Sequence, residues 1–119
     1  MKKQAGFPIR NLKVKVLRGV YIREINWPML TVAEVMFSVC MRQGRTPVMT
    51  GAAQNVAYPK GGLHDRGLAW DYRSEHLERP KAAFAELSKT LARIDKSFRV
   101  AYHDVGYGLH FHIEYNVTV

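Results

Sequence analysis

Apolar and basic side chains alternate through Leu12-Lys13-Val14-Lys15-Val16-Leu17, the period of two that sets one face of a strand in a core and the other in water. This predicts a strand with its lysines outward. The period then changes: Pro28 precedes a capping-box pattern at Thr31-Val32-Ala33-Glu34, and Ala33, Met36, Phe37 and Cys40 recur at helical spacing until Gly44, predicting a helix with a buried stripe. Thr46 to Thr50 reads as a short strand, 51–62 as a loop punctuated by Pro59 and Gly61-Gly62, and Leu68 to Tyr72 as another short strand. Pro80 occupies a first-turn position, and Phe84, Leu87, Leu91 and Ile94 follow with the spacing of a second amphipathic helix. Its polar face carries Lys81, Glu86, Lys89 and Arg93. Phe98 to His103 and Leu109 to Tyr115 complete the strands, joined by a glycine-containing hairpin loop from Asp104 to Gly108. The predicted fold class is α+β, two main helices packed on a small, mostly antiparallel sheet.

At 119 residues the chain suits a single domain, 1–119, large enough to form a core without a disulfide framework. Cys40 is the only cysteine, which excludes an intramolecular disulfide and a thiolate cluster; any metal must be held by histidine and carboxylate. The apolar stretch from Leu30 to Met41 is interrupted by Thr31, Glu34 and Ser38 and is shorter than the ~20 residues of a membrane span. The two lysines near the start are followed by Arg10, Lys13, Lys15 and Arg18 rather than by an apolar run, so no secretory signal is read. The net charge of +8 is concentrated in a basic N-terminal segment, 1–25, with seven basic residues against Glu24 alone. Nucleic acid, anionic lipid and the acidic polymers of a bacterial wall are all compatible with that charge, as is a solvated basic face.

The chemistry is concentrated in Leu63-His-Asp-Arg-Gly-Leu-Ala-Trp-Asp-Tyr72, where His64, Gly67, Ala69 and Asp71 make the pattern H-x-x-G-x-A-x-D. On a strand ending this run, Gly67, Ala69 and Asp71 share one face, and Leu68, Trp70 and Tyr72 share the other. Small residues beside the carboxylate leave room for His64 to fold over and meet Asp71 at a common cation. A third ligand is available in Leu109-His-Phe-His-Ile-Glu-Tyr115, where His110, His112 and Glu114 alternate with Phe111, Ile113 and Tyr115. Two histidines and an aspartate form a suitable catalytic zinc set, which keeps one position for water. His76 and His103 read as ordinary satisfied histidines, and Trp70 and Tyr72 as core.

These motifs resemble the zinc D-alanyl-D-alanine carboxypeptidases and the related wall endopeptidases and phage endolysins, which share their fold with the hedgehog signalling domain. The resemblance covers roughly Thr46 to Tyr115. It implies a hedgehog/DD-peptidase-like fold and one zinc per chain, held by His64, Asp71 and the second histidine of H-x-H, His112. It also implies an acidic general base, for which Asp104 in Ala101-Tyr-His-Asp104 is the first choice and Glu114 the second, and an oxyanion-stabilising role for His110. Two departures stand out: Leu109 occupies the position where several members carry the acid, and Thr50-Gly-Ala-Ala-Gln54 lacks the arginine with which carboxypeptidases grip a terminal carboxylate. No substrate-binding residue is assigned.

The expected function is zinc-dependent hydrolysis of an amide in peptidoglycan stem or cross-link peptides, by carboxypeptidase or endopeptidase action. The analogy extends to a phage endolysin made in the cytoplasm without a signal peptide and acting on the wall. The alternative is a non-catalytic, zinc-stabilised wall- or protein-binding module that lacks the base. Nucleic-acid binding is favoured only by charge, since none of its usual motifs is present.

Overall fold

A computed structural model of the protein describes residues 14–20, 22, 25–52, 67–104, 106 and 108–116. Five strands and two helices follow in the order β1 (Lys15–Val16), α1 (Trp27–Met41), β2 (Val48–Gly51), β3 (Ala69–Arg73), α2 (Pro80–Ile94), β4 (Phe98–Asp104) and β5 (Leu109–Tyr115). They form a five-stranded sheet of order β1-β2-β3-β5-β4. Every neighbouring pair is antiparallel except β1 with β2, which is parallel. The class is α+β and the sheet is mixed.

Alternation in the central strands decides what goes where. Trp70, Tyr72, Phe111 and Ile113 are completely buried and join Val32, Met36, Val39, Leu87 and Leu91 in one core, so both helices cover that face of the sheet. The residues in between, Asp71 on β3 and His110, His112 and Glu114 on β5, occupy the opposite face. Burying Trp70 and Tyr72 on one side thus fixes Asp71 on the other.

Helix α1 starts four residues before the expected capping box. Asn26 is extended at φ −131°, ψ 171°, and its Oδ1 accepts the Met29 N–H at 2.9 Å. Asparagine is among the strongest N-caps and Pro28 is preorganised for the first turn, so the helix is already under way at Thr31. The buried stripe shifts accordingly to Met29, Val32, Val35, Met36, Val39 and Cys40, with Ala33 and Phe37 only partly covered. Burial pushes the Cys40 thiol up to about 12, leaving it an inert core residue. The Asn26 amide also donates to the Gly67 carbonyl at 2.7 Å, tying the start of α1 to the entrance of β3.

Helix α2 begins at Pro80 as expected, but its cap comes from elsewhere. Gln43 accepts the Arg79 N–H and donates to the Arg79 carbonyl, both at 2.9 Å, and Arg42 pairs with Glu86 at 2.6 Å. The end of α1 is thereby clasped to the start of α2. Ala83, Leu87 and Leu91 are buried and Phe84 packs against Tyr102, whereas Ile94, expected in the stripe, is 50% exposed because the helix ends there. The first strand is shorter than the alternation implied: Leu12 and Lys13 lie outside the described residues, and Val16 is 43% exposed because β1 pairs with β2 alone at the sheet edge. Among the described residues, no helix is long and apolar enough to cross a membrane.

Asn26 has two jobs that substitution can separate. Asn26→Ala should lower the unfolding free energy by about 1–2 kcal/mol in chemical denaturation. Asn26→Ser, which keeps the cap acceptor but is too short to reach Gly67, should recover roughly half of that loss.

Candidate metal centre

The β3–β5 register pairs Asp71 with His112, Ala69 with Glu114 and Arg73 with His110. On the far side of β5, Ala101 of β4 lies opposite His112 and His103 opposite His110. His112 is therefore flanked by the small residues Ala69 and Ala101 on its face, and its ring lies flat between two acids. Its Nδ1 is 2.9 Å from Asp71 Oδ1, and its Nε2 is 3.0 Å from Glu114 Oε1. With a carboxylate at each nitrogen, both ring N–H groups can donate. The hydrogen bond to Asp71 first, and that to Glu114 after it, hold His112 above its ordinary value of 6.5, against the opposing effect of burial.

His110 lies one turn of the pleat away. Its Nδ1 is 3.0 Å from the Gly108 carbonyl, which can only accept, so Nδ1 carries the proton. The other nitrogen, Nε2, is directed towards the site, 3.7 Å from Asp71 Oδ1. In the neutral ring this nitrogen is a proton acceptor; once protonated it is a donor. His103 completes a group of three imidazoles, its ring centroid 4.9 Å from that of His110 and 5.5 Å from that of His112. Burial and then the neighbouring imidazoles hold His103 below its ordinary value.

Asp71 depends on a glycine. Gly51 of β2 is its register partner, and a β-carbon at position 51 would lie 2.8 Å from Asp71 Oδ2 and 3.3 Å from its Cβ. The carboxylate occupies the space that any other residue would fill.

Of the expected residues, the structure brings together Asp71, His112, His110 and Glu114. His64 lies outside the described residues, as do Val105 and Tyr107 of the hairpin. Asp104 adjoins His103 and acts on it electrostatically, but from the other strand phase. Strand phase sets it with Tyr102 and Phe111, away from His103 and His110, and its Oδ1 accepts the N–H groups of Gly106 and Gly108 at 2.8 and 2.9 Å, as a residue opening a hairpin turn commonly does. His103, read from the sequence as an ordinary histidine, belongs to the group. Its place follows from the hairpin register, which pairs it with His110 across the loop. Gly51 could not be found that way, because its partner is twenty positions away on another strand.

Among the described residues, no three histidine, cysteine or acidic side chains form a metal-holding group. Asp71 and His112 nevertheless suit zinc in donor type and separation: one carboxylate oxygen and one imidazole nitrogen, 2.9 Å apart, compatible with two ligands that each reach a common ion at about 2.0–2.2 Å. With Nδ1 on the metal side, Glu114 at Nε2 is the outer carboxylate that fixes the ring's orientation and raises its basicity. No family model, curated protein or solved structure matches the chain.

Two outcomes follow from this geometry. Gly51→Ala should displace the Asp71 carboxylate and weaken zinc binding by tenfold or more in competition titrations with a chelating dye, with a smaller effect on thermal stability. A metal ion at His112 would have to displace its protons. Because its folded value is raised, the contribution of His112 to metal-free stability is complete below 6.5 and is lost as pH rises through the raised value. In chelator, the stability difference between wild type and His112→Gln should therefore shrink from pH 6 to pH 8.5. In excess zinc it should grow over the same interval, as read from denaturation midpoints.

Proposed function

We propose that the protein is a zinc metallopeptidase that hydrolyses an amide in the stem or cross-link peptides of bacterial peptidoglycan. The observation that carries this reading is the Asp71–His112 contact on adjacent strands, formed by the two motifs that resemble the wall peptidases. His64, Asp71 and His112 would hold the ion. A bound zinc ion supplies Lewis acidity towards a carbonyl oxygen and towards water.

The chain's own groups have separable tasks. Glu114 orients His112 through Nε2 and keeps Nδ1 turned to Asp71. His110, with Nδ1 fixed on the Gly108 carbonyl, offers Nε2 to the site. It can accept a proton there and then present an N–H to a developing oxyanion, combining the proton transfer expected of a general base with the stabilisation expected of this histidine. The geometry around Asp104 favours a turn-holding role, so His110 is the residue we assign to proton handling. A hedgehog/DD-peptidase-like arrangement of the two helices and the sheet belongs to the same proposal, as does an endolysin's site of action on the wall.

Elemental analysis paired with hydrolysis of purified peptidoglycan tests the reading. About one zinc per chain is expected, with peptide fragments released by wild type and none by His112→Ala. His110→Ala should retain zinc and lose at least a hundredfold in kcat, whereas Asp104→Asn should stay within about tenfold of wild type. A greater loss in Asp104→Asn than in His110→Ala would return the base to Asp104. Zinc without cleavage would favour a zinc-stabilised binding module, and a chain that takes up no zinc would end the proposal.

A further inference from the structure

We propose that the end of the molecule where α1 starts and α2 stops docks on an anionic lipid bilayer. This does not rest on the peptidase reading. Three of the most exposed large apolar residues are gathered there: Ile25 at 67%, Trp27 at 53% and Ile94 at 50%. Trp27 is held by aromatic contacts. The Trp27 ring meets Tyr115 edge-on at 5.0 Å and Phe98 at 6.1 Å, and Phe98 meets Tyr115 at 4.9 Å. Tyr115 in turn donates its hydroxyl to Asp95 Oδ2 at 2.9 Å, next to Ile94. Trp27 is thus a rigid, half-exposed ring on an aromatic platform and not a mobile surface side chain.

The surrounding charge selects the partner. Among the described residues, Asp95 is the acid of this region, and both its oxygens are occupied, one by Tyr115 and the other by the Ser97 N–H at 2.8 Å. Arg93 and Lys96, which bracket Ile94 and Asp95, are exposed, and neither forms an ion pair among the described residues. Exposed tryptophan and isoleucine beside long cationic side chains suit the boundary between acyl chains and anionic headgroups: the apolar groups enter and the cations remain at headgroup level. Three such side chains expose roughly a few hundred Å² at most, short of the ~800 Å² that each partner buries in a stable protein–protein interface. The net charge of +8 adds a general attraction to the same surface.

The chain has two tryptophans, and Trp70 is completely buried, so a change in tryptophan emission on binding reports Trp27. The full-length protein is mixed with vesicles of phosphatidylcholine alone, vesicles containing phosphatidylglycerol, and heparin as a soluble polyanion. The expected result is a blue shift and co-sedimentation with the phosphatidylglycerol vesicles only. Ile94→Glu and Lys96→Glu lie at exposed positions outside the core and retain the Trp27 reporter; each should weaken vesicle binding about tenfold. Absence of the shift with anionic vesicles overturns the proposal, as does an equal shift with heparin. Vesicle binding unchanged in both variants also overturns it, and would move the interaction to the basic segment 1–25.

Discussion

The pairing of β3 with β5 is the constraint on which both halves of this molecule depend. Tyr72 opposite Phe111 and Trp70 opposite Ile113 place four of the largest buried side chains in direct cross-strand contact, and the same register sets Asp71 against His112. Because side chains alternate with a period of two, a slip of one residue would expose that apolar set and bury the polar one. The free energy of burying these aromatic and aliphatic groups therefore also holds the site's geometry. The candidate centre needs no separate scaffold; it is the reverse side of the core.

On that reverse side, the protein manages an accumulation of charge and hydrogen-bonding groups that would be unfavourable if left unpaired. The His103 ring lies 4.9 Å from that of His110 and 5.5 Å from that of His112, and Asp71 and Glu114 make their hydrogen bonds to His112, with Asp71 also 3.7 Å from His110. The imidazole between Asp71 and Glu114 is stabilised as a cation, while the nearby His103 is disfavoured as one by burial and by its neighbours. The ring favoured as a cation is thus the one that contacts both acids. Small residues make this possible: Ala69 and Ala101 flank His112, and Gly51 yields the volume that Asp71 occupies. Packing density leaves no spare space at such contacts, so the identity of a residue without a side chain matters here as much as that of the ligands.

Much of this was legible in the sequence, for a definite reason. Strand phase is a one-dimensional property, and the alternation of Trp70 and Tyr72 with Asp71, and of Phe111 and Ile113 with His112, separated core from site before any pairing was known. Features that depend on juxtaposition were less legible. The place of Gly51 under Asp71 is a cross-strand fact, and His103 enters the group only through the hairpin register. Asn26 competes with Thr31 as a helix start, and a local pattern cannot show that the chain before Thr31 is already helical. Asp104 illustrates the same limit from the other side. Its place before the H-x-H motif resembles that of a catalytic acid, but two glycine N–H groups at the turn bond its Oδ1, and strand phase sets it apart from His110. A five-strand sheet that is parallel at one edge was likewise not implied by the strand pattern, since alternation carries no information on strand direction.

The tautomer of His110 follows from a backbone carbonyl, that of Gly108. A histidine held by a carboxylate, as His112 is, becomes more basic and more readily charged. One held by a neutral carbonyl has its tautomer fixed by that acceptor, which leaves Nε2 as the nitrogen facing the site, 3.7 Å from Asp71 Oδ1. The strand thus presents two histidines, two residues apart, held by different partners: one has a carboxylate at each nitrogen, and the other is fixed at Nδ1 by the Gly108 carbonyl and turns Nε2 to the site. The hairpin loop that positions Gly108 is itself held by Asp104, through the N–H groups of Gly106 and Gly108. Asp104 can therefore act on the centre by keeping in place the carbonyl that sets the tautomer of His110.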